Sequence, residues 1–268
     1  MRPPATVLAA FGTLDDPVPL PGGQGGSWRA GRLVLKPVGS AAETRWRSEV
    51  LSGLSDSAEF RVARPVRAGD GDWLAEGWEA TELLAGETDV RRPVEVVAAG
   101  AAFHAALVDL PRPALLDDRD DPWSVGDRVA WQELRSEPAT VAAGLLAPLF
   151  AARRPVEQRA QLVHGDLAGN VLFAAGLPPA IIDWSVYWRP PAFASAVVVV
   201  DALCWYGASA ELAARWADSP DWGQLLIRAL IFRIVTHEVA FGAAGWTPEQ
   251  LAAYRPVIDL AIGYATGG

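Results

Sequence analysis

The residues best equipped for chemistry lie in one stretch, Leu162-Val163-His164-Gly165-Asp166-Leu167-Ala168-Gly169-Asn170-Val171-Leu172-Phe173. Asp166 and Asn170 stand four positions apart in a polar loop that leads into an apolar strand. Thirteen residues after Asn170, Ile181-Ile182-Asp183-Trp184 presents another carboxylate at the end of a second apolar strand. Two carboxylates and an amide oxygen from adjacent strand ends form the donor set of a Mg²⁺–phosphate site. Magnesium takes hard oxygen ligands, keeps several waters, and is held through one or two carboxylates plus substrate phosphates. A remaining carboxylate can orient an attacking hydroxyl or accept its proton.

One cation stands apart by type. Arginine occurs 22 times and lysine once, at Lys36. Where arginine supplies general positive charge, a single lysine reads in two ways. Either a compact ammonium is needed, as in a tight phosphate site, or a lysine has drifted to a strand end.

These residues need strands and helices to hold them. Residues 32–36 read as a strand closed by Pro37, after a Pro/Gly-rich loop at 17–26. Residues 43–54 have helical spacing, with Trp46, Val50 and Leu54 on one face. Residues 61–66 and 72–81 read as two more strands around a turn cluster at 68–71. Beyond that the pattern turns helical, over 93–108, 123–133, 138–152, 193–206, 208–216, 222–241 and 248–264. A hairpin of short strands, 170–174 and 180–182, interrupts it. The expected division is a small strand-rich part, 1–82, and a larger helical part, 83–268, an α+β chain.

Composition narrows the class. The chain has 268 residues, 51% of them hydrophobic and 21% charged, as in globular proteins. A single cysteine, Cys204, excludes an intramolecular disulfide and fits a reducing compartment. A net charge of −9 argues against a nucleic-acid partner held by bulk electrostatics and is compatible with a cationic or small polar one. The longest apolar run, 192–205, is broken by Asp201 and too short to span a bilayer. The N-terminus lacks a signal-peptide h-region. The expectation is a cytoplasmic protein without a membrane partner.

His164-Gly165-Asp166 with Asn170, followed by Ile182-Asp183-Trp184, resembles the catalytic loop and metal motif of the aminoglycoside phosphotransferase family, protein-kinase-like kinases of small molecules. Phe103-His104-Ala105-Ala106-Leu107 resembles the helical segment after that family's hinge, and Gly77-Trp78-Glu79-Ala80-Thr81 resembles an actinobacterial branch of it. The resemblance implies a protein-kinase-like two-lobe fold that transfers the γ-phosphoryl of ATP or GTP, with Mg²⁺, to a hydroxyl of a small-molecule acceptor. It implies Asp166 as base or hydroxyl-orienting residue, Asn170 and Asp183 as metal ligands, and Lys36 on the α/β phosphates. It further implies Glu49 as the helix partner of Lys36, Gly23 and Gly25 in a phosphate-covering loop, and a hinge around Glu79 and Thr81 that meets the base.

Two more residues complete the expected set. His164 reads as a hydrogen-bonded structural residue, and Asp201, inside a valine-rich helix, needs a partner. In kinase-like folds an acid at that place braces the backbone of the catalytic loop. The acidic run 117–121 reads as a solvated loop, because it lacks the glycine and terminal glutamate of a calcium loop. Two departures from the family's pattern stand out: only three residues separate Asp166 from Asn170 where four are common, and Pro37 directly follows Lys36. They motivate the alternative of a nucleotide-binding pseudokinase that senses or scaffolds.

Overall fold

A computed structural model describes residues 1–21, 26–55, 57–135 and 140–267. The strands are β1 (Val18–Pro19), β2 (Trp28–Ala30), β3 (Leu33–Pro37), β4 (Arg61–Val62), β5 (Leu74–Ala75), β6 (Trp78–Glu82), β7 (Glu87–Thr88), β8 (Gln161–His164), β9 (Val171–Phe173), β10 (Ala180–Ile181) and β11 (Val186–Arg189). The helices are α1 (Ala5–Ala10), α2 (Ala41–Gly53), α3 (Pro93–Ala106), α4 (Pro122–Ala130), α5 (Thr140–Ala152), α6 (Pro191–Trp205), α7 (Glu211–Ala214), α8 (Trp222–Phe241) and α9 (Pro248–Thr266). The chain divides into two compact units, 1–87 with 172–182, and 88–171 with 183–268. The division differs from a single cut after residue 82, because residues 172–182 return to the first unit.

The first unit is built on a sheet of order β1-β2-β3-β6-β5. Alternation along β3 and β6 buries Leu33, Leu35, Trp78 and Ala80 on one face. Val7, Leu8 and Phe11 of the N-terminal segment join that core. α1 escapes sequence reading because it is only six residues long and has no side-chain cap. The expected strand over 72–81 is instead two strands, β5 and β6, paired antiparallel through Leu74↔Glu79 and Ala75↔Trp78. α2 forms where expected, capped by Ser40, which accepts from Glu43 N. Its buried residues are Thr44 and Ser48, not the Trp46–Val50–Leu54 stripe, which is half-buried. A second sheet, of order β4-β10-β9-β7, includes the expected 170–182 hairpin strands, with β10 running parallel to β4.

The second unit is mainly helical. α8 matches its expected span, and every residue from Trp222 to Thr236 is buried. Some of its polar groups are paired: Gln224 accepts from Arg154 N at 2.6 Å, and Arg228 donates to Arg154 O at 2.7 Å, whereas Arg228 Nε and Thr236 Oγ1 are buried without a partner among the described residues. Asp121 caps α4, accepting from the backbone N–H of Trp123 and Ser124, with Pro122 at the first helical position. Only the end of the acidic run is a helix cap; Asp117, Asp118 and Asp120 are exposed, as expected of a solvated loop, and Asp117 pairs with Arg112. One short ladder was not foreseen. β8 and β11 pair antiparallel, with Val186 opposite His164. No helix among the described residues is long and apolar enough to cross a membrane.

Candidate active site

The β8–β11 ladder sets out the loop chemistry. Beyond its end, Gly165 N donates to Ser185 O at 3.0 Å, tying the segment before Asp166 to the one after Asp183. Glycine is required at 165, because a β-carbon there would collide with the Tyr187 ring. His164 is fully buried. Its backbone N–H donates to His104 Nε2 at 2.9 Å, and its own Nδ1 accepts from Asp166 N at 3.1 Å. Each ring nitrogen facing a backbone N–H acts as acceptor and carries no proton there. Burial, helped by the nearby His164, pushes His104 down to about 3. Two neutral histidines therefore fix the entry to the loop.

The loop then closes tightly. Asn170 N donates to Leu167 O at 2.9 Å, and Asn170 Nδ2 donates to Asp166 O at 2.6 Å. Gly169 takes φ +81, with open space where a side chain would stand. It is there for its backbone, which lets three intervening residues make the turn. Because Nδ2 is committed to Asp166, Asn170 Oδ1 is left as a hard-oxygen donor without a partner among the described residues.

Asp166 is held from a different element. Oδ1 accepts from Arg233 Nη2 of α8 at 2.6 Å, while Oδ2 has no partner among the described residues. Arg233 also grips Asp201 of α6, through Nε to Oδ1 at 2.8 Å and through Nη2 to Oδ2. Burial opposes the guanidinium's charge, but Asp201 and Asp166 outweigh it and hold Arg233 protonated. Asp201 is only 1% exposed, and burial pushes its carboxyl up to about 6 against the pull of Arg233. Asp201 therefore does not brace the loop's backbone, as expected from the resemblance. It acts on Asp166 through Arg233. The sequence reading missed Arg233, although the argument applied to Asp201 also covers it: a lone charge in an apolar helix needs an opposite charge.

Asp183 adopts φ +52, the left-handed region that asparagine and aspartate tolerate better than other side chains. Its neighbour Trp184 anchors it. The indole is 2% exposed, donates from Nε1 to Val163 O at 3.1 Å, and meets Phe103 edge-on at 5.3 Å. The Asp183 side chain remains exposed beside this fixed residue.

In the first unit, Lys36 lies on β3 directly opposite Glu79 of β6, on the less buried face of the sheet. Pro37 closes β3 without breaking its register, opposite Trp78. Two expectations need correction. Glu79 and Thr81 are interior strand residues rather than a hinge, paired with Lys36 and Val34. Both Glu79 oxygens accept from Arg47 Nη2, at 2.8 and 2.7 Å. Glu49 does not serve Lys36: its carboxylate accepts from Arg67 at 3.2 Å and Trp73 Nε1 at 3.0 Å. That helical position turns toward the 67–73 segment instead. Gly23 and Gly25 lie outside the described residues.

The donor set fits magnesium. Asn170 Oδ1 and Asp183 offer one amide oxygen and one carboxylate, and no group of three or more His, Cys, Asp or Glu that could cage a metal occurs among the described residues. Such a pair suits an ion that takes its other oxygens from phosphates and water.

No protein-family model and no curated protein matches the chain. Solved structures do. A thermostable mutant of aminoglycoside phosphotransferase APH(4)-Ia, in ternary complex with AMP-PNP and hygromycin B, aligns with TM-score 0.59 and 16% identity, covering 97% of this chain and 98% of that one. Choline kinase LicA from Streptococcus pneumoniae aligns with TM-score 0.59 and 12% identity, covering 95% of each chain. The chain has the fold of the aminoglycoside phosphotransferases and choline kinases. AMP-bound spectinomycin phosphotransferase APH(9)-Ia aligns equally well, with TM-score 0.59, 12% identity and 95% coverage of both chains. The aminoglycoside phosphotransferase fold thus spans almost the whole chain, as the motif order implied.

Proposed function

We propose that the protein is a phosphotransferase that moves the γ-phosphoryl of ATP or GTP to a hydroxyl of a small-molecule acceptor. The arrangement of Asp166 carries this reading. One carboxylate oxygen is clamped by a buried guanidinium, and the other has no partner among the described residues. A clamped carboxylate with one available oxygen orients a hydroxyl along a chosen line. Phosphoryl transfer depends mostly on such positioning and on charge stabilisation. Structures sharing the fold include complexes with AMP-PNP, ADP and AMP, which supports a nucleotide as donor.

Asn170 and Asp183 would hold Mg²⁺, which when bound supplies charge neutralisation at the phosphates. Lys36 adds a compact positive charge for the α/β phosphates. Asp166 receives the acceptor hydroxyl at its available oxygen, and His164 and Arg233 keep it in place. The short Asp166–Asn170 spacing, the motive for a pseudokinase, is absorbed by Gly169 and the Asn170–Asp166 bond.

The test compares wild type with Asp166→Asn and Asp183→Asn. Thermal shifts are read with ATP and GTP, with and without Mg²⁺, followed by transfer to a panel of alcohols. A ligand at about 100 times its Kd adds roughly 2.7 kcal/mol of stability. Asp166→Asn keeps the nucleotide shift and loses transfer, whereas Asp183→Asn loses the Mg²⁺-dependent part of the shift. Transfer unchanged in Asp166→Asn would overturn the reading. Nucleotide binding with no transfer to any acceptor would favour a sensor.

A further inference from the structure

The second unit carries an open pocket of about 330 Å³, in the size range of small-molecule pockets. Its lining runs against the chain's acidity. Four guanidinium groups, from Arg112, Arg119, Arg128 and Arg189, face three carboxylates, whereas the chain as a whole carries −9.

The carboxylates are already spoken for. Arg189 reaches both oxygens of Asp127, from Nε at 2.9 and 3.1 Å and from Nη2 at 2.6 Å. It also binds Glu133 from Nη1 at 2.6 Å and Nη2 at 3.0 Å. Arg112 holds both oxygens of Asp117, at 2.6 and 3.2 Å. Arg119 donates to Asp121 and to Val186 O. Arg128 is different. Its side chain makes no hydrogen bond or ion pair with the described residues, and its Nε is buried without an acceptor. What Arg128 offers the cavity is a guanidinium that no carboxylate of the described residues pairs; its Nε is closed off from the cavity and takes no part. The lining carboxylates are each committed to an arginine, which leaves a hydrogen-bond donor as the cavity's available chemistry. A planar guanidinium with unused N–H groups matches the paired oxygens of a carboxylate or phosphate.

We propose that this cavity binds the oxyanionic group of a small molecule, a carboxylate or a phosphate, with Arg128 as its anchor. The neighbouring arginines are committed to Asp117, Asp121, Asp127 and Glu133, which leaves the charge of Arg128 for an incoming anion, and Tyr187 and Trp188 supply the apolar wall. Tyr187 also packs against Gly165, immediately before Asp166, so the cavity adjoins the catalytic loop through one aromatic ring. Anion binding here requires no phosphotransfer and is measured without nucleotide.

The full chain is titrated calorimetrically with inorganic phosphate and with citrate, at ionic strength held constant with sodium chloride. Wild type is expected to bind one of these anions saturably. Arg128→Gln is expected to weaken that binding at least tenfold, and Arg128→Lys to restore part of it. No saturable binding by wild type, or equal binding by Arg128→Gln, overturns the proposal. Crystals of wild type soaked in sodium selenate give a readout that needs no variant. Anomalous density beside Arg128 supports the site, and density only elsewhere overturns it.

Discussion

Nη2 of Arg233 lies 2.6 Å from Oδ1 of Asp166, linking residues 67 positions apart in sequence. The same guanidinium is closed on its other side by Asp201, so α6, α8 and the Asp166 loop meet at one cation. Removing one member of such a buried set leaves an uncompensated charge, at a cost of about 3–5 kcal/mol.

Arg233→Met is therefore expected to lower unfolding free energy by about 3–5 kcal/mol, because Asp201 is left buried and alone. Asp201→Asn in the Arg233→Met background should recover part of the loss. A denaturant titration of the two single variants and the double variant measures the coupling. Strictly additive effects would show that the pair does not act as a unit.

The neutral histidine pair gives the fold a pH signature. His104 sits near 6.5 in the unfolded chain and at about 3 in the folded one. The folded state thus refuses a proton that the unfolded state accepts. Stability from this residue is complete above about pH 6.5 and falls as pH drops toward 3. His104→Gln keeps an acceptor for His164 N–H and removes the titration. Between about pH 7.5 and about pH 5.5, wild type should lose about 1.4 kcal/mol relative to this variant. Denaturant unfolding at the two pH values checks it, and a constant difference would contradict the geometry.

Gly169 carries the tight closure of the loop. Gly169→Ala places a side chain in open space but forces it to φ +81. The left-handed conformation costs an L residue about 1–2 kcal/mol. Either that amount appears as lost stability or the loop relaxes and Asn170 turns away. Parallel measurement of unfolding free energy and the Mg²⁺-dependent nucleotide shift separates these. No change in either quantity would remove the role given to Gly169.

The sequence made much of this legible, for identifiable reasons. Asp166, Asn170 and Asp183 stood out because polar residues at strand ends break a strong apolar pattern. α8 was readable along its full length because it is long and mostly apolar. β8 and β11 were not, since each is four residues long and each depends on the other for its hydrogen bonds. Glu49 misled because spacing along a helix does not determine which neighbour a half-turn presents; here Trp73 and Arg67 reach it first. Arg233 was hidden by its own burial among apolar neighbours, where it registered as part of a core helix.

The clamp on Asp166 also has an order in time. Every recognisable motif, from Lys36 through Asp183, emerges from the ribosome before the residue that secures Asp166. At about 5–20 residues per second, the 67 positions from Asp166 to Arg233 take roughly 3 to 13 s to synthesise. Over the last 32 of those positions Asp201, already made, has no cation to meet it. The nascent chain holds a complete set of motifs and an unfinished site, and a product truncated before α8 would keep the motifs while lacking the clamp.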